Sequence, residues 1–410
     1  MPWGELTRPT RDRSIPPRDG LVVVDKDKYV TSHDIVGAMR FVAGTRKVGH
    51  AGTLDPMATG VLSVGIGKAT KLLQYVTGTS KRYTATVRLG VETSTEDAQG
   101  EVTARRGVEA LGADAVAWSD LIEAAMVQLR GEILQVPSAV SALKVDGKRA
   151  YELVREGKAV ELDARPVTIG AFRMLGEPRP AVATADVVGE VVAESGPIAA
   201  DVAESQVDEA ADLRVPTTGA AGNDAPALPA VAETHVIDID VEVECSAGTY
   251  VRALARDLGD LLGTGAHLTA LRRTRVGEWD EAQALSIAQL NEFNVRGEEL
   301  PILGLTELCR GLFPLVEVTP EEAELLRRGQ FIAKREYAAA DGGAAATGSS
   351  AVTSTLVASG LAVEAESGVT AAKGPKNPEG KRVAAAMCEG SVVALVCPRS
   401  GMLKPDLLLS

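Results

Sequence analysis

The densest group of chemically versatile residues lies between Lys47 and Lys71, where the sequence reads KVGHAGTLDPMATGVLSVGIGKATK. Its tail imitates a phosphate-binding P-loop, but that motif requires G-x-x-x-x-G-K-[ST], and this chain has alanine at position 69. What remains is Asp55, which directly precedes Pro56. Proline restricts the residue before it to extended conformations, so this loop can hold one carboxylate at a fixed angle toward a cleft. Asp55 is therefore a candidate catalytic residue, and the capping of a turn is the structural alternative.

Three further groups bring cations close to aromatic or apolar residues. Lys81-Arg82-Tyr83 suits contact with unpaired nucleotides, although a core tyrosine at the start of a strand is the favoured reading of this feature taken alone. Arg252 lies off the apolar stripe of its helix, and it is either solvated or paired with a carboxylate. Leu271-Arg272-Arg273-Thr274-Arg275 is either a solvated face or a phosphate-binding patch.

Metal chemistry is not indicated. The four histidines (His33, His50, His235 and His267) have no paired spacing, and the four cysteines form no C-x-x-C pair. The sequence therefore predicts neither a metal site nor a disulfide framework.

The elements that position these residues alternate between strands and helices. The run from Leu21 to Asp25 predicts a buried strand, and Thr31 with Asp34 forms a capping box at the start of the next helix. Polar and apolar residues alternate from Tyr83 to Leu89 and from Asp238 to Cys245, which predicts two half-buried strands.

Further helix starts are predicted at Ser119 and Thr319, and the apolar stripe beginning at Val251 predicts another helix. Two apolar runs, Ser391–Val396 and Met402–Leu409, predict a C-terminal hairpin. An α+β body followed by a small β-rich module is the expected architecture.

Charge is distributed unevenly over the 410 residues, whose formal net charge is −13. Residues 177–234 carry −9 and residues 338–380 carry −2, so the remainder is nearly neutral and an acidic total does not exclude a nucleic-acid partner. Both segments lack large apolar residues, and we expect flexible insertions there, with an extra hairpin as the alternative. The expected domains are a flexible tail (1–19), a body (20–312) interrupted at 177–234, and a C-terminal module (313–410) interrupted at 338–380.

Membrane insertion and secretion are not indicated either. The chain has no apolar run of about 18 residues, and its Arg- and Pro-rich start lacks the apolar region of a signal peptide. We therefore expect a cytoplasmic protein.

Several long motifs, in the correct order, resemble the bacterial tRNA pseudouridine-55 synthases. They are GLVVVDK with TSHD (20–34), KVGHAGTLDPMATGVLSVGIGKATK (47–71), KRYTATVRLG (81–90), QVPSAVSALKVDGKRAYELVREGK (135–158), ARPV (164–167) and VECSAGTYVRALARDLGDLLGTGAHLTALRRTRVG (243–277). The resemblance implies a pseudouridine synthase fold with a mixed, mainly antiparallel sheet, followed by a PUA-like RNA-binding module. It also implies isomerisation of uridine in the T-arm loop of tRNA, by base flipping and without a cofactor.

The resemblance assigns roles to particular residues. Asp55 matches the nucleophile and Arg252 its ion-pair partner; Tyr83 matches the ring that stacks on the flipped base, His50 contacts the flipped-out loop, and Tyr250 and Leu271 line the uridine pocket. Contacts to the RNA backbone are expected on charge alone for Lys26, Lys144, Lys148, Arg272 and Arg273. The expected partner is tRNA, bound by a monomer.

The chain departs from the family in the first motif. Asp27 and Tyr29 stand where the family usually has proline and glycine. Two other functions stay open at this stage: a tRNA-folding chaperone that does not depend on catalysis, and a pseudouridine synthase that acts on rRNA.

Overall fold

The computed structural model describes residues 2–9, 18–112, 115–138, 144–145, 148–149, 162–183, 233–334, 375–377 and 380–410, with the backbone alone at 115–116, 144–145 and 148–149. The helices are α1 (Ser32–Val42), α2 (Leu73–Thr77), α3 (Ala115–Gln128), α4 (Val251–Leu262), α5 (Ile287–Arg296), α6 (Leu305–Leu312) and α7 (Pro320–Arg327). The strands are β1 (Gly20–Lys26), β2 (Val48–Ala51), β3 (Thr59–Ile66), β4 (Lys81–Leu89), β5 (Val91–Thr93), β6 (Val102–Arg105), β7 (Gly131–Gln135), β8 (Lys144–Val145), β9 (Lys148–Arg149), β10 (Arg165–Met174), β11 (Arg179–Ala183), β12 (Thr234–Cys245), β13 (Ala266–Val276), β14 (Trp279–Asp280), β15 (Leu303–Gly304), β16 (Leu315–Glu317), β17 (Ile332–Ala333), β18 (Ala384–Cys388), β19 (Ser391–Arg399) and β20 (Met402–Leu408).

The large sheet of the described chain is mixed and mainly antiparallel. Its strands follow the order β15-β1-β3-β13-β4-β12-β10-β7, with β2, β11 and β14 paired at the side. Within it, β13 runs parallel to β3, and the register joins Arg273 to Gly60. A β-carbon at Gly60 would lie 2.2 Å from the Arg273 carbonyl oxygen, so only glycine permits this approach. The predicted α+β class is confirmed.

The central strand β4 shows why the sheet has two different faces. Its odd-numbered side chains, from Lys81 to Leu89, are buried and its even-numbered ones are half-exposed, as the alternation predicts. Most of the buried face belongs to the core that also includes residues of α3 and α4. On the other face, Arg82 and Arg88 form ion pairs with Glu244 and Asp238 of the neighbouring strand β12.

Local start signals were accurate at two helices and wrong at a third. The capping boxes at Thr31 and Thr319 are both present, with proline at the start of α7. The predicted start at Ser119 is wrong, because α3 begins at Ala115. Alanine and tryptophan extend the helix by a turn, and the Trp118 indole N–H donates to the Gly112 carbonyl at 3.0 Å, which anchors that turn.

The C-terminal residues form a second sheet, in the order β16-β18-β19-β20-β17, and the predicted hairpin is its β19–β20 pair. This sheet shares a hydrophobic cluster with the body. Tyr75 and Phe313 meet edge to face with ring centroids 4.8 Å apart, and the Lys68 ammonium donates to the Leu409 carbonyl at 3.0 Å. The module is therefore packed onto the body rather than tethered to it.

The expected flexible segments are only partly described. Composition predicts a free N-terminal tail, yet Trp3 is buried beside α1 and α5, and the Thr7 N–H donates to the Asn291 side chain at 2.6 Å. The first expected insertion begins as an ordered strand, because β11 pairs with the start of β12. Residues 184–232 and 335–374 lie outside the described residues.

Candidate active site

The loop that carries Asp55 connects β2 to β3 and is held from below by a serine. Ser32, the first residue of α1, is buried, and its Oγ accepts the Leu54 N–H at 2.9 Å and donates to the Leu54 carbonyl at 3.1 Å. Gly52 adopts φ +71°, and the Ala58 N–H donates to the Asp55 carbonyl at 3.1 Å. Ser32 thus fixes both the N–H and the carbonyl of Leu54, the residue before Asp55, while the Asp55 side chain stays 36% exposed.

Two buried cations hold the same loop from its two ends. Lys26 and Arg273 are each 1% exposed. The Lys26 Nζ donates to the carbonyls of Val30 at 2.6 Å and Pro56 at 3.2 Å, and the Arg273 Nη2 donates to the Gly52 carbonyl at 2.8 Å. The expectation that these two residues contact the RNA backbone is corrected, because their donors face protein carbonyls in the interior.

Burial also changes the protonation of the lysines near the loop. Desolvation lowers the pKa of Lys26 to about 8, although the Asp55 carboxylate opposes that shift. Lys81, which donates to the carbonyls of Thr77 and Thr79, has its pKa lowered to about 8 by burial and by the Arg273 charge. Three buried basic side chains, Lys26, Lys81 and Arg273, thus lie next to the Asp55 loop.

Arg252 faces Asp55 from the first turn of α4. Its Nε lies 2.9 Å from the Asp55 Oδ2, and its side chain is only 4% exposed. Its Nη1 donates to the Thr95 carbonyl at 2.8 Å. Because arginine stays protonated at physiological pH, a permanent positive charge lies against the Asp55 carboxylate. The departure of Arg252 from the apolar stripe is explained by this pairing.

A second carboxylate, the buried Asp97, shares the same arginine, and the sequence does not single it out. Its Oδ2 lies 3.5 Å from the Arg252 Nη1, and its Oδ1 accepts the Thr95 hydroxyl at 2.6 Å and the Gln99 N–H at 3.0 Å. In the sequence, Asp97 stands in the polar run STEDA, which resembles any turn. Only the fold, which brings this loop against α4, distinguishes it.

Tyr83 and Leu271 come together in the core beside the loop. The register of β4 and β13 pairs Tyr83 with Arg273 and Ala85 with Leu271. Both Tyr83 and Leu271 are buried, in the cluster that also contains Leu54 from the Asp55 loop. Burial raises the pKa of Tyr83, so its hydroxyl is neutral.

His50 and Tyr250 flank this group. His50 lies half-buried on β2, and burial, followed by the charges of Arg273 and His33, lowers its pKa, so the neutral imidazole is favoured. Tyr250 directly precedes α4. Its N–H donates to the Gln135 Oε1 at 2.9 Å, and the Gln135 Nε2 donates to the Tyr250 carbonyl at 3.1 Å. The start of the helix that carries Arg252 is fixed in this way.

The remaining predicted cations are only partly placed. Arg272 forms a bidentate pair with Asp25, with both distances 3.0 Å, and also reaches Glu281 at 3.2 Å. Lys144 and Lys148 belong to the short β8–β9 hairpin, and their side chains lie outside the described residues. These residues are not brought to Asp55 by any described contact.

The unusual first motif keeps a tight turn next to the site. Tyr29 adopts φ +65°, and its N–H donates to the Pro56 carbonyl at 2.7 Å. A left-handed conformation costs a tyrosine about 1–2 kcal/mol relative to glycine. Tyr29 therefore adopts, under strain, the turn conformation that a glycine would adopt without strain.

The described part of the chain contains neither a metal-binding group nor a membrane-spanning helix. No group of three or more His, Cys, Asp or Glu residues is arranged there to hold a metal ion. Within the same residues, no helix combines the length and apolarity that crossing a membrane requires.

Comparison with known proteins gives consistent matches. The sequence profile of the TruB family pseudouridylate synthase N-terminal domain matches residues 40–199, and that of the tRNA pseudouridylate synthase B C-terminal domain matches residues 252–315. The chain is 42% identical to tRNA pseudouridine synthase B of Arthrobacter sp. (strain FB24), over 95% of this chain and 96% of that protein. It is 45% identical to the protein of that name from Mycobacterium leprae (strain TN), over 78% and 83%.

Solved structures share the fold. One is a Cbf5-Nop10-Gar1 complex (TM-score 0.55, 19% identity, 99% of this chain and 89% of that chain), and another is an H/ACA RNP bound to a substrate RNA containing 2'-deoxyuridine (TM-score 0.54, 18% identity, 99% and 90%). Together with the sequence matches, this fold defines a pseudouridine synthase. More specifically, the chain belongs to the TruB family of pseudouridylate synthases.

Proposed function

We propose that this enzyme isomerises uridine to pseudouridine at position 55 in the T-arm loop of tRNA, with Asp55 as its nucleophile. The observation that carries the proposal is the Asp55–Arg252 ion pair of 2.9 Å, on a loop whose backbone is held by buried donors. The relatives named tRNA pseudouridine synthase B support the choice of tRNA as substrate.

The geometry suits covalent catalysis by a carboxylate. The reaction breaks the N-glycosidic bond of uridine, whose electron pair stays on N1, and forms a C–C bond to C5 of the same base. C5 releases a proton and N1 takes one up, so atoms and electrons balance without a redox partner. A carboxylate attacks only as the anion, and the Arg252 guanidinium lies 2.9 Å from the Asp55 Oδ2 as its counter-ion. Asp97 holds Arg252 from its other side, which orients the guanidinium toward Asp55.

The surrounding residues then have consistent roles. The target base is stacked within the RNA and must be flipped out to reach a buried site. Tyr83 and Leu271 supply the apolar walls that receive it, and Tyr250 borders the pocket at the start of α4. His50 is half-buried and its neutral imidazole is assigned a contact with the displaced loop nucleotides, made by the part of the ring other than its buried Nδ1.

We also assign different functions to the two sheets. We assign catalysis to residues 20–312 and RNA binding to the module at 313–410, whose packing onto the body supports a fixed spacing between the two functions. The protein acts as a cytoplasmic monomer in this proposal.

The test uses unmodified tRNA transcript carrying tritium at uridine C5. Wild type should release tritium, and Asp55→Asn should release none while binding the transcript with nearly unchanged affinity. Asp260→Asn, which removes an exposed carboxylate from α4, is the matched control and should release tritium normally.

Other outcomes identify the other functions. Tight binding without release by wild type would favour the chaperone, and release from rRNA fragments but not from tRNA would favour the rRNA enzyme. Ordinary release by Asp55→Asn would refute the nucleophile assignment.

A further inference from the structure

Tyr29 occupies a backbone position that favours glycine. Its φ is +65°, and its N–H donates to the carbonyl of Pro56, the residue directly after Asp55. That hydrogen bond uses only the main chain, so glycine would make it without strain. The tyrosine side chain is therefore not needed for the turn, and a strained residue beside an active site calls for a functional explanation.

The ring is directed outward rather than into the core. Tyr29 is 42% exposed, and together with Phe331 of the C-terminal module it is the most exposed aromatic residue in the described part of the chain. The Lys28 Nζ lies 4.8 Å from the centroid of the Tyr29 ring. An exposed aromatic residue and a cation thus form one unit at the rim of the Asp55 loop.

Lys28 also borders an open groove beside the Asp55 loop. It lines this groove of about 470 Å³ together with Met57, Thr59 and Leu271. Leu271 belongs to the core cluster that contains Tyr83 and Leu54. Met57 lies two residues after Asp55, so RNA seated in this groove would lie beside the Asp55 loop and in contact with Lys28.

The charge of the segment favours stacking over simple attraction of phosphate. Asp25, Lys26, Asp27 and Lys28 cancel one another formally, and Lys26 is buried. A segment without net charge is not a basic patch, so the ring, which stacks on any unpaired base regardless of charge, makes the main contact, and the exposed Lys28 adds a single contact to phosphate.

We propose that Tyr29 is a stacking platform for an unpaired nucleotide of the RNA substrate next to the reacting uridine, and that Lys28 contacts the phosphate of that nucleotide. This inference rests on the proposed function, because it takes RNA as the substrate of the Asp55 site. It assigns to this chain a substrate contact that glycine at the same position cannot make.

The test compares Tyr29→Gly, Tyr29→Asn and Tyr29→Phe. Glycine and asparagine both tolerate the left-handed conformation, so either removes the ring without disturbing the turn. The dissociation constant for the tRNA transcript, measured in the Asp55→Asn background to prevent turnover, should rise about tenfold for both. KM should rise similarly, the effect should fall on KM rather than on kcat, and Tyr29→Phe should rescue binding. The midpoint of thermal unfolding should not decrease.

Salt dependence separates the ring from the cation. Tyr29→Gly should leave the slope of log Kd against log salt unchanged, whereas Lys28→Met should reduce its magnitude by about 0.7. Unchanged RNA affinity in Tyr29→Gly and Tyr29→Asn would overturn the proposal and leave a protein-binding surface as the better reading. A fall in kcat at constant KM would also overturn it, by assigning the ring to support of the loop.

The proposal and the function on which it rests fail in different ways. If wild type releases no tritium but loss of the ring still weakens RNA binding, the isomerase fails and the stacking contact stands. If wild type releases tritium and loss of the ring changes nothing, the reverse holds.

Discussion

Replacing Ser32 by alanine tests whether the Asp55 loop is positioned from below. The Ser32 Oγ is the partner of both the N–H and the carbonyl of Leu54, at 2.9 and 3.1 Å. Alanine would leave these two buried backbone groups without their partner. Each unsatisfied buried group costs about 1–3 kcal/mol, so the loss of both partners should lower the free energy of unfolding by about 2–6 kcal/mol.

The effect on catalysis should be smaller than the complete loss of the loop would cause. A misplacement of about 1 Å in a reacting group can lower a rate on the order of a hundredfold. Lys26 and Arg273 would still hold the carbonyls of Pro56 and Gly52. We therefore expect the single-turnover rate of tritium release to fall by about tenfold, with RNA affinity unchanged.

Thr31→Ala provides a matched control one residue away. The Thr31 hydroxyl accepts the Asp34 N–H at 3.1 Å and caps the same helix, but it makes no described bond to the Asp55 loop. Losing a cap costs about 1 kcal/mol, so this variant should be less stable yet release tritium at the wild-type rate.

The assay combines denaturant unfolding with tritium release under excess enzyme at a temperature where all three proteins are folded. If Ser32→Ala slows release no more than Thr31→Ala does, the Ser32 bonds do not position Asp55 and the reasoning is refuted.

Three further changes test other parts of the structure. Asp97→Asn keeps the size of the side chain but removes a charge that orients Arg252, so kcat in the tritium assay should fall by about ten- to hundredfold with RNA affinity unchanged. Lys26 loses its proton at a lower pH in the folded protein than in the unfolded chain, so between pH 8 and 10.5 the unfolded chain binds more protons and stability rises with pH. In denaturant unfolding, wild type should gain up to about 3 kcal/mol of stability relative to Lys26→Met across that window. A difference that does not change with pH would contradict the lowered pKa. Phe313→Ala should lower the free energy of unfolding by about 3–5 kcal/mol because Phe313 is fully buried between body and C-terminal module, whereas Phe331→Ala, at an exposed ring, should stay within about 0.5 kcal/mol; equal losses would refute the shared core.

Patterns of short range were read correctly from the sequence. The capping boxes at Thr31 and Thr319 and the alternation along β4 depend on residues within a few positions of one another. The start of α3 was misplaced at Ser119, because the contact of Trp118 with Gly112 outweighs the preference of serine for a cap. Local preference is decisive only where no packing contact opposes it.

The cations show the limit of reasoning from charge. Lys26 and Arg273 looked like candidates for phosphate contact, yet the fold turns both toward carbonyl oxygens of the Asp55 loop. A sequence states that a residue is charged, but it does not state which backbone groups need a donor. A buried cation can therefore be recognised only from the tertiary structure, which places carbonyl acceptors around it.

By itself, the sequence determined the family, through ordered motifs that point to Asp55 and Arg252, and the α+β class, through its alternating periods. Tertiary structure alone decided that Asp97 shares Arg252 and that Tyr29 turns an exposed ring outward beside the Asp55 loop. The physical reason is distance along the chain. Arg252 meets carboxylates that lie about 200 and 155 residues before it, and no local period reports contacts of that range.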